Sequence, residues 1–223
     1  MSKPTVIHRY KFVIDFDGTI SINDSTTMLA EMYIPDLHQK YLREIRNGNI
    51  SVRKYIKEQL EAIRITREEY IRTLRNEMQI DLTFKNFLIK NWDFMIVSAG
   101  TLQNVFYSLE AKGIDISQKQ IISNHLTFNG EELKVEAPRQ YDDQENGINK
   151  AEVIRNYQRQ GYQVVFIGDS ISDFEGAKVS DIVYAKKSQK LAKYLKAQNI
   201  PFIEYQNFDE IVRHFQRYLV GMK

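Results

Sequence analysis

Asp15 and Asp17 stand one residue apart at the end of the run Lys11-Phe12-Val13-Ile14-Asp15-Phe16-Asp17-Gly18-Thr19-Ile20. A buried carboxylate is costly unless it is paired or ligates a metal. An apolar strand ending in Asp-x-Asp-Gly-Thr therefore points to a cation, a reacting group, or both. Asp-Gly is also a common turn signal, so this pair alone is compatible with a strand that simply stops. Three other clusters weigh against that reading. Ser98-Ala99-Gly100 and Gly168-Asp169-Ser170-Ile171-Ser172-Asp173 each close an apolar run, and Lys150 opens a helical pattern after a loop containing glycine. In an open α/β sheet, ligands bind beyond the carboxyl ends of the strands. One sheet edge would then gather several carboxylates, a hydroxyl and an ammonium.

That inventory suits phosphoryl transfer. Carboxylates hold Mg²⁺, a hard ion that takes oxygen ligands. A metal and a lysine neutralise phosphate oxygens, and a carboxylate can attack phosphorus to form an aspartyl-phosphate. A neighbouring carboxyl can protonate the leaving alkoxide and later activate water. Each part alone has a plainer explanation. Ser98, Ser170, Ser172 and Asp173 are all residue types that cap helices, and Lys150 could be a surface lysine. A lysine in the first helical turn faces the positive end of the helix dipole, however, and a bound anion would offset that. The plain explanations would have to hold at every position together.

The remaining candidates read as structural. The four histidines are scattered, and Trp92 reads as packing. Lys186, Lys187, Lys190, Lys193 and Lys196 alternate with Leu191 and Leu195, as on a solvated helix face with a buried reverse side.

The elements that must position these residues follow from periodicity. A strand is expected over 11–15. Four amphipathic helices follow over 25–33, 36–46, 51–64 and 67–78, with Ser51 and Thr66 as N-caps. A helix is expected over 84–90, a buried strand over 93–97 and a helix over 101–112 that Gly113 stops. A short strand over 121–123 and a hairpin about Asn129-Gly130 come next. A helix over 149–160 and a strand over 163–167 precede a helix over 174–179. Short strands over 182–184 and 202–204 and a helix over 208–219 complete the pattern. Alternating strands and helices imply an α/β fold with a doubly wound parallel sheet. The helical block interrupts that alternation. Residues 1–20 and 91–223 are therefore expected to form the core, and 21–90 an inserted α-helical domain.

The 223 residues suit one large domain or a domain with an insertion. With 43% hydrophobic and 27% charged residues the composition is that of a soluble globular protein. A net charge of +2 argues neither for nucleic acid nor for an acidic membrane surface as partner, and neither is expected. The absence of cysteine excludes disulfides and thiolate chemistry. Met1 to Tyr10 carries no apolar leader, and no apolar run approaches membrane-spanning length. A cytoplasmic location is expected, and nothing in the sequence sets the oligomeric state.

In order along nearly the whole chain, Asp15-Phe16-Asp17-Gly18-Thr19, Ser98, Lys150 and Gly168-Asp169 with Asp173 resemble the four motifs of the haloacid dehalogenase superfamily of phosphatases. The helical insertion between the first two motifs resembles the cap of the phosphoserine phosphatase branch. Within that branch, the chain looks most like the methionine-salvage phosphatases acting on 2-hydroxy-3-keto-5-methylthiopentenyl-1-phosphate. That likeness lies in Asn23-Asp24, Ala177-Lys178, Ser180-Asp181 and the tail from Tyr205 to Ile211. The resemblance implies that Asp15 is the nucleophile and Asp17 the general acid/base. It implies Mg²⁺ held by Asp15, Asp169 and the backbone carbonyl of Asp17. Thr19, Ser98, Gly100 and Lys150 would bind the phosphate of a small ester, and Asp173 would orient Lys150 or a metal-bound water. The chain departs from phosphoserine phosphatases at Ala99, where they usually carry Gly, and at Ser172, where they carry Asn. A third departure is Asp24, where they carry the Glu that meets the substrate amine. Phosphoserine is therefore the second choice of substrate. Asp24 and the stretch from Arg53 to Lys57 are the residues expected to line the substrate side of the cap.

Overall fold

The computed structural model describes residues 9–221. The segment inspected for a leader lies, up to His8, outside them. Seven strands form one sheet in the order β4-β3-β2-β1-β7-β8-β9. They are β1 (Arg9–Ile14), β2 (Phe94–Thr101), β3 (Ile121–Asn129), β4 (Glu132–Glu136), β7 (Tyr162–Gly168), β8 (Ile182–Lys186) and β9 (Ile203–Tyr205). All neighbours run parallel except β3 and β4, an antiparallel hairpin. The chain winds outward from β1 in both directions. The switch point, where α/β sheets bind ligands, thus falls at the end of β1.

Both sheet faces are covered, as a parallel sheet requires, and the pleat sorts residues between them. Phe12 and Ile14 of β1 lie in one apolar cluster with Val165 and Ile167 of β7, while Val13 lies in a second cluster with Val164 and Phe166. The register pairs Phe12 with Val165 and Ile14 with Ile167. A one-residue slip would exchange the two faces.

The first helices are α1 (Ser25–Tyr33), α2 (Pro35–Arg46), α3 (Val52–Ala62) and α4 (Arg67–Glu77). Ser51 accepts from the Lys54 amide and Thr66 from the Glu69 amide, both at 3.2 Å, as N-caps should. Leu29, Leu60, Tyr70 and Leu74 from these helices, and Ile63 just after α3, share one apolar cluster with the sheet. Helix α5 (Phe84–Leu88), inside the stretch read as the insertion, packs against α10 (Phe208–Gly221). Its Phe84 and Phe87 stack with each other and meet Phe208 edge-on, and Trp92 stacks on Phe12.

The remaining elements are α6 (Leu102–Glu110), α7 (Lys150–Arg159), α8 (Phe174–Val179), α9 (Lys190–Ala197) and a small hairpin of β5 (Asp142–Asp143) with β6 (Gly147–Ile148). Three readings change. The short strand at 121–123 and the first arm of the hairpin are one strand, β3. Ser98 caps no helix: β2 continues through Gly100, and Thr101 caps α6 by accepting from the Asn104 amide. The five lysines do not share one face either. Lys190, Lys193 and Lys196 are exposed on α9 above buried Leu191 and Leu195, but Lys186 ends β8 and turns inward.

Candidate active site

Asp15 leaves β1 with its amide donating to the Ile167 carbonyl at 2.9 Å, which fixes it at the switch point. Its carboxylate is only 4% exposed. Lys150, the first residue of α7, reaches Asp15 Oδ1 and Asp173 Oδ1, each at 2.5 Å, and Ser172 Oγ at 3.4 Å. The other Asp173 oxygen accepts from the amides of Asp169 and Ser170, both at 2.9 Å. Asp173 therefore ties the end of β7 to the ammonium. A Cβ on Gly168 would stand 2.7 Å from that carboxylate, so only glycine fits there.

The segment after Asp15 makes one wide turn that the Ser21 amide closes on the Phe16 carbonyl at 3.0 Å. Gly18 has φ +79°, and a Cβ on it would lie 2.5 Å from Asp169 Oδ2. Any side chain there would suffer both backbone strain and a clash. This turn brings Asp17 back over Asp15. Asp17 Oδ1 accepts from the Ser25 amide at 2.7 Å, and Oδ2 accepts from Ser98 Oγ at 3.4 Å. Ser98 Oγ also accepts from the Gly100 amide at 3.0 Å. Behind Asp17 lies a polar chain that the sequence reading missed. Asn104 donates to Ser25 Oγ at 2.9 Å and accepts from the Tyr70 hydroxyl at 2.5 Å. It ties α1, α4 and α6 together beneath the carboxyl.

Asp15, Asp169 and Asp173 each present an oxygen within 4.8 Å of the others. Because Asp173 is engaged by Lys150 and two amides, Asp15 and Asp169 are the pair aimed at a common cation. Burial, then the charge of Asp173, pushes Asp15 up to about 7. Burial, then Asp15 and Asp173, pushes Asp169 up to about 8. Hard oxygen donors under mutual repulsion fit a divalent ion such as Mg²⁺. Asp17 is also pushed up to about 8, by burial and then by Asp24. Burial opposes the Lys150 charge, but Asp15 and Asp173 outweigh it and raise the ammonium above its ordinary value.

A cavity of about 370 Å³ opens over this cluster. Its floor includes Asp15, Asp17, Gly18, Ser98, Gly100 and Asp169, and its roof Leu42, Ile45, Arg46, Val52, Tyr55 and Ile56 from α2 and α3. Asp24 lines the wall, but its carboxylate caps α1 by accepting from the Thr27 amide at 2.7 Å. Three expectations are corrected here. Thr19 is fully buried and donates to Asp169 Oδ1 at 3.2 Å, because the Gly18 turn directs it below the floor. Lys150 is 2% exposed and is not among the residues that line the cavity, its ammonium being held by Asp15 and Asp173. Within the 53–57 stretch, Tyr55 and Ile56 face the cavity. Arg53 instead pairs with Asp142, Lys54 with Glu58 and Lys57 with Glu61. Helical spacing explains the split, since 52, 55 and 56 share one face.

Lys186 is a site neighbour that the sequence reading left on the surface. Its ammonium donates to the Gly18 carbonyl at 2.8 Å and to that of Thr19 at 3.4 Å. Burial lowers it from the ordinary lysine value, against the opposing field of Asp169, Asp81 and Asp15. The signal available was its place at a strand end, the same signal that marked Asp15 and Asp169.

No protein-family profile matches the chain. It is 28% identical over 225 residues to the 2-hydroxy-3-keto-5-methylthiopentenyl-1-phosphate phosphatase of Bacillus pumilus, covering 97% of this chain and 93% of that protein. It is 25% identical over 232 residues to a polyol phosphate phosphatase of Saccharomyces cerevisiae, covering 94% and 93%. Among solved structures it superposes on a phosphoserine phosphatase carrying a phospho-aspartyl intermediate analogue. The TM-score is 0.69 at 19% identity, over 93% of this chain and 99% of that one. The chain thus has the fold of the phosphoserine phosphatases, and the two sequence relatives described above are named phosphatases.

Proposed function

We propose that the chain is a Mg²⁺-dependent phosphomonoester hydrolase that works through an aspartyl-phosphate on Asp15. The convergence of Asp15, Asp17 and Asp169 on the cavity floor carries this reading. Asp15 attacks phosphorus, the P–O bond to the ester oxygen breaks, and Asp17 supplies the proton that the leaving alkoxide takes. A carboxyl held near 8 by burial and then by Asp24 carries that proton at neutral pH. Asp17, now ionised, accepts a proton from water as the water attacks the acyl phosphate, which releases phosphate and restores Asp15. Ser98 Oγ, which donates to Asp17, and the Gly100 amide, which donates to Ser98 Oγ, would turn to the phosphoryl oxygens when an ester is held. Lys150 holds Asp15 in place and opposes the developing charge from behind. Mg²⁺ held by Asp15, Asp169 and the Asp17 carbonyl would neutralise the phosphoryl oxygens.

We further propose that α1–α4, within residues 21–90, act as a lid and that the substrate is a small ester with a partly apolar body. Leu42, Ile45, Val52 and Ile56 support this, since they offer an apolar wall suited to a thioether tail, with Arg46 as the one cation of the roof. Asp24 Oδ1 is engaged on the Thr27 amide, which leaves Oδ2 as the oxygen a substrate ammonium would meet. The methionine-salvage phosphate 2-hydroxy-3-keto-5-methylthiopentenyl-1-phosphate is the leading substrate, with phosphoserine and other metabolite phosphates behind it. Such a metabolite fits the cytoplasmic location expected from the sequence. Phosphate release over a panel of metabolite phosphates with purified protein and Mg²⁺ tests the reading. We expect kcat/KM at least about tenfold higher for the methionine-salvage ester than for phosphoserine. The reverse ranking would transfer the proposal to phosphoserine, and no release from any ester would end it.

A further inference from the structure

Arg53 is the charged residue of the expected lining stretch whose ion-pair partner lies outside the helical block, on β5. Its guanidinium pairs with the Asp142 carboxylate and reaches the Asp143 carbonyl at 3.4 Å. Its own amide donates to the Glu145 carbonyl at 3.0 Å, and Ser51 Oγ donates to the Gln144 carbonyl at 3.2 Å. All four partners sit in the β5–β6 hairpin. Val52, Tyr55 and Ile56, the neighbours of Arg53 on α3, form part of the roof.

The hairpin leads straight to the floor. Asp142 pairs with Ile148 and Asp143 with Gly147, and Asp143 Oδ1 shapes the turn by accepting from the amides of Glu145 and Asn146. The Asn149 amide donates to the Tyr141 carbonyl at 2.7 Å, and Asn149 caps α7 through the Glu152 amide at 2.9 Å. The next residue is Lys150. The hairpin also abuts the strand end that carries Ser98. A Cβ on Gly147 (φ +82°) would lie 3.4 Å from the Ala99 carbonyl and from Asn124 Nδ2, which itself holds the Ala99 carbonyl at 2.7 Å. A hairpin of seven residues thus touches the roof helix on one side and the supports of Lys150 and Ser98 on the other.

We propose that this hairpin couples the position of the α3 roof to the phosphate site, with Arg53 as a positioning residue that latches α3 to it. The proposal rests on the reading of α1–α4 as a lid. The Arg53–Asp142 pair is partly exposed, so its effect is modest, on the order of a fivefold change in an equilibrium. The two backbone-directed bonds keep the register when the pair is lost, so the variants are expected to fold.

The test compares wild type, Arg53→Ala, Asp142→Asn and the double variant by amide hydrogen exchange, with and without inorganic phosphate and Mg²⁺, alongside steady-state kinetics. In each single variant the peptide spanning 141–149 should exchange about fivefold faster, with β1 and β7 unchanged, and the double should be no faster than the singles. Phosphate should slow exchange in wild-type α3 and fail to do so in the variants. kcat should fall about fivefold, with part of it restored in Arg53→Lys. Unchanged exchange over 141–149 in both singles, or equal protection of α3 by phosphate in variants and wild type, would overturn the coupling. A wild type that neither binds phosphate nor hydrolyses any ester would overturn the proposed function instead, and exchange without phosphate would still decide the latch.

Discussion

Beneath the cavity floor, Lys150 stands 2.5 Å from both Asp15 and Asp173, and both oxygens of Asp173 have partners. On the roof, α2 and α3 offer mainly aliphatic side chains, with Tyr55 and Arg46, toward the same space. The floor is a set of directional, buried, charge-bearing contacts in which each residue has one workable position. The roof is a non-directional surface on which several residues of similar shape would serve. Changes to the floor should therefore act on chemistry and on the response to cations, while changes to the roof side chains that face the cavity should act on which substrate is held.

The largest effect is expected at the nucleophile. Asp15→Asn keeps the size of the side chain and removes the attacking oxyanion. Ester hydrolysis should fall at least about a thousandfold, roughly 4 kcal/mol of transition-state stabilisation. Near-normal turnover by the folded variant would remove the floor from the chemistry.

The second effect separates floor from roof by pH. Asp15, Asp17 and Asp169 sit at about 7, 8 and 8, against an ordinary value of 3.8, with burial the leading cause in each. The folded protein therefore binds more protons than the unfolded chain between about pH 4 and 8. That stabilisation is fully present below the unfolded value and is lost as pH rises through the folded values. In EDTA, the midpoint of thermal unfolding should drop by at least about 5 °C from pH 5 to pH 8. Mg²⁺ should recover much of the loss at pH 8. A flat profile in EDTA, or no response to Mg²⁺, would contradict the assignment of these carboxylates.

Lys186→Met keeps the stem and removes the ammonium that holds the Gly18 carbonyl. The Asp17–Thr19 turn should loosen, and kcat should fall about tenfold with KM little changed, a loss of about 1.4 kcal/mol. Unaltered kcat would return Lys186 to the solvated surface where the sequence reading left it.

Ile56→Ala is the smallest change and belongs to the roof. KM for the methionine-salvage ester should rise about fivefold, close to 1 kcal/mol, with kcat nearly unchanged. A fall in kcat without a change in KM would mean that the roof takes part in chemistry and would blur the contrast.

The same contrast explains what the sequence made legible. Asp15, Ser98 and Asp169 were readable because polar residues at the ends of apolar strands have few other reasons to be there. The N-caps Ser51 and Thr66 were readable because capping is a local interaction of the chain with itself. Thr19 was misplaced because its direction depends on the turn at Gly18, a matter of three-dimensional clearance to Asp169. The roof was largely hidden because Leu42, Ile45, Val52 and Ile56 belong to the same 3.6-residue stripes as true core positions such as Leu60 and Leu74. Periodicity marks which face is apolar but not whether protein or substrate covers it. Lys186 was hidden by its neighbours, since four more lysines follow it and only its place at the end of β8 sets it apart.

The central claim is that Asp15 carries the phosphoryl group between two half-reactions. Rapid acid quench during turnover of the best ester, followed by peptide mass analysis, tests it directly. The account predicts a peptide containing Asp15 that is one phosphoryl group heavier, absent from Asp15→Asn. Continued hydrolysis with no such peptide, or with the phosphoryl group on another residue, would contradict it.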